Sequence, residues 1–289
     1  MKNKLLTTTL FLSLAMPLMN ASAGSEPEAE RQALVKHFMD RFGSTDFEGR
    51  KLKIDDFRFG SNIFDADKMA QFKGSEEFPA YLDHLEAGEK LWKKPFANGK
   101  TYASCAGLSD TKHLRAKYPF FDDARGEVIN LDQAINECRT ANDEKPYAFG
   151  GKDKDLTKIL AYLANESRGQ KINVTINSPG ALAAYNLGEM VFHTRRGQLN
   201  QSCANCHISS AGMRIRSELL SPIVGHTTHF PSYRSSANDL VSLQQRYVGC
   251  LESVRGFAFA ANGKELKALE FYESFMSNGL EIDGPAMRP

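Results

Sequence analysis

The chain repeats itself, and the repeat limits what it can fold into. Leu85-Glu-Ala-Gly88-Glu89-Lys-Leu91-Trp92 parallels Asn186-Leu187-Gly188-Glu189-Met-Val191-Phe192. Gly99 stands at the same distance from Ser104-Cys105 as Gly197 does from Ser202-Cys203. Further on, Leu156 to Ile172 parallels Leu266 to Ile282, with Tyr162, Gly169 and Ile172 spaced as Tyr272, Gly279 and Ile282 are. Each half carries one further cysteine between its blocks, Cys138 in the first and Cys250 in the second. Self-similarity of this kind means one supersecondary unit used twice. The order predicts two related domains, residues 78–177 and 178–289, after an N-terminal stretch over 24–77.

The matched blocks have helical periodicity. Leu156, Ile159, Leu160 and Leu163 share one face before Gly169, and Leu266, Leu269, Tyr272 and Met276 share one before Asn278-Gly279. Glycine inside a helix costs stability, so Gly88 and Gly188 are expected where the early and late helices of each half cross closely; incidental glycines are the plainer alternative. Residues 26–43 also have helical spacing, through Leu34, Val35, Phe38 and Phe42, and a loop-rich linker is expected to follow through residue 77. Little strand patterning is visible elsewhere. The predicted class is mainly α: two tandem domains related by duplication, with an N-terminal helical extension.

The first residues describe an address. Met1-Lys-Asn-Lys4, an apolar stretch from Leu5 to Met19, and Ala21-Ser22-Ala23 compose a secretory signal peptide over 1–23. The apolar run is shorter than the roughly 20 residues a membrane span needs, and no second run follows. Export to a disulfide-permissive compartment, in a bacterium the periplasm, is the expectation. Loss of Lys2 and Lys4 leaves 34 basic against 35 acidic residues, a formal charge of −1. A chain so balanced is not expected to bind nucleic acid through a basic surface.

Cys203-Ala-Asn-Cys206-His207 fits C-x-x-C-H, the attachment site of c-type haem. Two thiols one helical turn apart add to the two vinyl groups, and the adjacent histidine supplies an axial ligand. A thioredoxin-like pair or half a zinc site would not call for the histidine, and no second C-x-x-C completes a zinc ribbon. At the matching place the first half reads Cys105-Ala-Gly-Leu108-Ser109, lacking the second cysteine and the histidine. One haem per chain is therefore expected. Cys105 and Cys138 are natural disulfide partners in an oxidising compartment, though their separation is not legible in sequence.

The sixth iron ligand stays open at this level. Met213 is close to His207 in sequence, Met276 has core spacing, and Met287, His226 and His229 are further choices. With five cysteines in the chain, Cys250 is left over. Arg246 and Arg255 flank it and could stabilise a thiolate and attract a small anion; a buried structural cysteine is the plainer alternative.

Taken together, Cys203-x-x-Cys206-His207, Pro231-Ser-Tyr233-Arg234, Arg246-x-x-x-Cys250, Val254-Arg255 and the Leu269-Glu-x-Tyr272 helix resemble the SoxA family, the catalytic subunits of the SoxAX cytochromes of bacterial thiosulfate oxidation. The resemblance covers nearly the whole mature chain and implies tandem cytochrome c-like domains. It implies that His207 and Cys250 are the axial iron ligands, that Cys250 carries a persulfide intermediate, and that Arg246, with Arg255 less firmly and Arg234 less still, meets substrate. The departure at Cys105 to Ser109 implies the single-haem type, with a Cys105–Cys138 disulfide in place of the first haem. The implied enzyme is an L-cysteine S-thiosulfotransferase, which conjugates thiosulfate to a cysteine of a SoxYZ-like carrier. Two electrons are released, and a SoxX-like small cytochrome subunit completes a heterodimer. The competing functions are a plain electron-transfer cytochrome and a carrier-independent thiosulfate dehydrogenase forming tetrathionate.

Overall fold

The computed structural model describes residues 25–149, 154–215 and 218–288. The expected signal peptide lies outside the described residues. Among those described, helices α1 (Ser25–Phe42), α2 (Ala66–Glu77), α3 (Leu82–Lys93), α4 (Thr111–Lys117), α5 (Leu131–Thr140), α6 (Asp155–Glu166), α7 (Pro179–His193), α8 (Leu243–Ser253) and α9 (Lys264–Met276) carry the architecture. No helix among them is long and apolar enough to cross a membrane. The fold is mainly α, as the periodicity predicts.

The two glycines sit where two helices cross. A Cβ on Gly88 of α3 would lie 2.1 Å from the Lys158 carbonyl oxygen of α6, and one on Gly188 of α7 would lie 2.1 Å from that of Ala268 on α9. Tyr162 and Tyr272 flank the two crossings at equivalent positions. Backbones this close leave no space for a methyl group, so glycine is retained despite its helix cost.

The halves also meet each other by equivalent segments. Gly169 N donates to Ile282 O and Gly279 N to Ile172 O, both at 3.0 Å. Ile172 N donates to Leu280 O and Ile282 N to Gln170 O, at 3.0 and 2.8 Å. Each bond has its counterpart with the roles of the halves exchanged.

Two features lie beyond the expected outline. Each half contains a short antiparallel hairpin before its cysteine-bearing helix: Phe120–Asp122 with Glu127–Ile129, and Ser232–Arg234 with Asp239–Val241. The second is extended by Ala286–Arg288, parallel to Ser232–Arg234. The stretch expected as linker instead holds a 3₁₀ segment, Ile54–Phe64, kinked at Gly60, and the helix α2. Only Met69 of α2 is buried, so its sequence has too few apolar positions to show helical spacing.

Two main cores follow from this arrangement. The first half closes on Trp92, Phe96, Tyr102, Leu108, Leu114, Ile135, Cys138, Ile159 and Leu163. The second half shares its core with the N-terminal extension, where Phe38, Phe47, Phe57 and Ile63 meet Tyr185, Phe192, Ile223, Phe271, Tyr272 and Met276. Glu30 on α1 accepts hydrogen bonds from the hydroxyls of Tyr185 and Tyr272, which fixes that helix on the second half.

Candidate haem site and its relic

The C-x-x-C-H motif occupies a tightly capped turn. Ser202 N and Oγ both lie 3.0 Å from Asn205 Oδ1, and Asn205 N donates back to Ser202 Oγ at 3.2 Å. The chain then winds through a π-helical turn, Asn205–Ser209, closed by Ser210 N donating to Asn205 O at 3.0 Å. Carbonyls left over at its end need donors. Arg41, at the end of α1, supplies one: its guanidinium donates to Ile208 O and Ser209 O at 3.2 Å. The N-terminal extension thus braces the motif directly.

His207 is fixed from behind. Its Nδ1 lies 2.8 Å from Ser221 O and 2.8 Å from His226 Nε2. His226 in turn places its Nδ1 3.4 Å from Glu273 Oε2, which also accepts from the Tyr247 hydroxyl at 2.9 Å. This network assigns the His207 proton to Nδ1 and leaves the Nε2 lone pair for a metal. Burial, with His226 next, pushes His207 down to about 3. Burial and the Arg246 charge push His226 down to about 3, and burial pushes Glu273 up to about 7. Both imidazoles are neutral, the form that ligates metal.

The loop carrying His226 is itself held by the extension. At Gly225, φ is 91° and an added Cβ would lie 2.3 Å from Phe57 O, so only glycine lets the Ile54–Phe64 segment approach. His226 is therefore not a surface residue, nor does it face His207 as a sixth ligand; it stands on the Nδ1 side of that ring. Sequence gave no signal for this, because the geometry is made by α9 and the extension. Met276 is fully buried in the core, in keeping with its helical spacing, and Met213 is exposed. His229 is buried with Nδ1 unpartnered, and Met287 is half-buried on the C-terminal strand.

Helix α8 brings the remaining candidates in. A capping box starts it, with Ser242 Oγ accepting from Gln245 N at 3.2 Å and Gln245 Oε1 accepting from Ser242 N at 3.0 Å. Gln244 donates to Glu270 at 2.7 Å and Tyr247 to Glu273, which locks α8 onto α9. Arg246 and Cys250, one turn apart, stay partly exposed on the adjoining face. Burial pushes the Cys203 thiol up, with Glu273 next and Cys250 after it, and burial pushes Cys206 up, with Cys250 next. The three sulfurs therefore share one electrostatic neighbourhood. Arg234 joins it: its pKa is lowered by burial first and then by Arg246, with Cys250 opposing. Arg255 lies in the turn that follows α8. It is exposed at φ 56°, and its carbonyl accepts from Gln198 N at 3.3 Å in the loop before Cys203.

The first half shows the same scaffold filled in. Cys105 and Cys138 form a disulfide with Cα atoms 5.8 Å apart. Leu108, at the place of Cys206, is 1% exposed. Trp92 and Tyr102 stack with centroids 4.7 Å apart, and Phe96 meets Tyr102 edge-on at 4.9 Å. Side chains occupy the interior there, whereas in the second half Cys203, Cys206 and Cys250 are free thiols and His207 is oriented by its neighbours. Those residues fit a c-type haem; the first half, with leucine and serine in the motif, does not.

The chain matches the SoxA/TsdA cytochrome c domain family over residues 87–172 and 187–282. It is 45% identical to the L-cysteine S-thiosulfotransferase subunit SoxA of Chlorobaculum thiosulfatiphilum, over 98% of this chain and 97% of the relative. It is 39% identical to the protein of the same name from Allochromatium vinosum, over 98% of each chain. Among solved structures, it resembles SoxXA from P. pantotrophus with a TM-score of 0.69 and 30% identity, covering 76% of this chain and 84% of that one.

Proposed function

The chain belongs to the SoxA family, and from that membership we propose that it is an L-cysteine S-thiosulfotransferase subunit: it oxidatively conjugates thiosulfate to a cysteine of a SoxYZ-like carrier. The support for this reading is that Arg246 and Cys250 lie one turn apart on α8, and that Arg246 acts electrostatically on His207 as Cys250 does on Cys203 and Cys206. The units are taken as residues 78–177, without haem, and 178–289, with it. Cys203 and Cys206 would hold one haem covalently, and His207 and Cys250 would ligate its iron.

A bound haem would supply one-electron redox chemistry, and thiolate ligation by Cys250 would lower its potential. The chain's own residues do the rest. Arg246 and Arg234 draw the thiosulfate dianion toward Cys250 and offset its charge; Arg255 adds field from the rim. The terminal sulfur of thiosulfate bonds to the Cys250 sulfur as two electrons leave, which places a sulfane sulfur at the persulfide level on Cys250. The carrier thiolate attacks that sulfane sulfur, takes the S–SO₃ group and releases Cys250 as the thiolate. Charge balances: carrier thiolate and thiosulfate, three negative charges, give a singly charged product and two electrons. A SoxX-like small cytochrome subunit takes the second electron, and the reaction belongs in the periplasm.

Two measurements test this reading. Turnover of thiosulfate is expected to require the carrier; full activity without it would establish tetrathionate formation instead. Cys250→Ala is expected to abolish conjugation while intact mass still shows one attached haem. Retained conjugation, or a methionine–iron charge-transfer band in the wild type, would remove Cys250 from the site.

A further inference from the structure

The duplication pairs cysteines across the halves in register. Cys105 and Cys203 each follow a glycine by six residues, Gly99 and Gly197, both in the left-handed region with φ 79° and 68°. Cys138 and Cys250 each follow a helix-capping residue by eight, Asn130 and Ser242, whose side chains accept from the backbone N–H of Gln133 and Gln245. The hairpins leading into α5 and α8 match position for position. In the first half the cysteines at these two places form a disulfide. In the second half the same two places are Cys203 and Cys250, both free and partly exposed.

From this register we propose that, before haem is attached, Cys203 and Cys250 pair as a disulfide, which leaves Cys206 as the free thiol of the motif. The step is ordinary thiol–disulfide exchange: the two thiols lose two electrons and two protons to an oxidised thiol–disulfide oxidoreductase, which becomes the dithiol. A reduced partner of the same chemical class reverses it, and the released Cys203 thiol is then available for addition to a vinyl group. The first half is the same link made permanent, because Leu108 and Ser109 remove the competing reaction there. The pairing keeps the sulfur of Cys250 out of reach of stray oxidants until its site is complete.

The test is the full-length chain exported in a host that lacks haem-attachment machinery, alkylated without reduction and digested. The expected result is two linked peptide pairs, Cys105 with Cys138 and Cys203 with Cys250, and alkylation of Cys206 alone. The Cys250→Ser variant is expected to lose the second link while keeping the first. A Cys203–Cys206 or Cys206–Cys250 link, three alkylated thiols, or a scrambled mixture that also loses Cys105–Cys138 would each overturn the proposal.

Discussion

His226 lies edge to face against His207, with ring centroids 4.1 Å apart and planes at 80°. Its Nε2 is 2.8 Å from His207 Nδ1, and Glu273 stands behind it. An acceptor chain of this kind makes the outer nitrogen a stronger donor to metal. Replacing Glu273 with Gln is expected to raise the haem reduction potential by tens of millivolts while haem stays attached. Redox titration of the purified chain reads it; an unchanged potential would make the contact a matter of packing alone.

Arg246 acts on the same space from α8. Its replacement by Ala is expected to lower kcat/KM for thiosulfate by about 100-fold, the scale for removing one charge-stabilising donor. Arg246→Lys keeps charge but not the planar fork, so it recovers part of that loss. Steady-state kinetics at fixed carrier concentration distinguishes the two.

The glycine crossings predict a stability cost that is the same in kind for both halves. Gly88→Ala and Gly188→Ala each force a methyl group onto a carbonyl oxygen 2.1 Å from the ideal Cβ position. Each is expected to destabilise by about 3 kcal/mol or more, seen as a fall in Tm of roughly 5–10 °C. Gly188→Ala should also lower haem incorporation, since α7 and α9 support the motif, whereas Gly88→Ala should not.

These crossings were readable from sequence because glycine in an apolar helical stripe has few other uses. The haem motif was readable for a similar reason, since its spacing serves one chemistry; the role of Cys250 comes only from the family resemblance. The hairpins were not, since Phe120-Phe121-Asp122 and Ser232-Tyr233-Arg234 are too short to alternate. Nor was the support given by Arg41 and Phe57, which depends on contacts between segments over 160 residues apart, as from Arg41 to Ile208, or the contact of His226 with His207, 19 residues away.

A pH prediction comes from the boundary between the halves. Asp132, buried near Glu270, is pushed up to about 7 by burial first and by that carboxylate second, while Arg115 opposes. An unfolded aspartate titrates near 4. Between about pH 4 and 7 the folded chain keeps a proton that the unfolded chain has lost, so stability falls as pH rises through that window and levels above it. Asp132→Asn is expected to flatten this decline and to stabilise the chain at neutral pH. Urea unfolding at pH 5 and pH 8 checks it; an identical slope in both proteins would refute it.

The reciprocal bonds between 169–172 and 279–282 reach beyond stability. Contacts in which residue i of one copy meets j of the other, and j meets i, are how two identical subunits associate about a two-fold axis. The chain therefore has the form of a fused homodimer. The first copy fills its interior with Trp92, Tyr102 and Leu108, and it is half of the interface against which the second copy, with its C-x-x-C-H motif, is built.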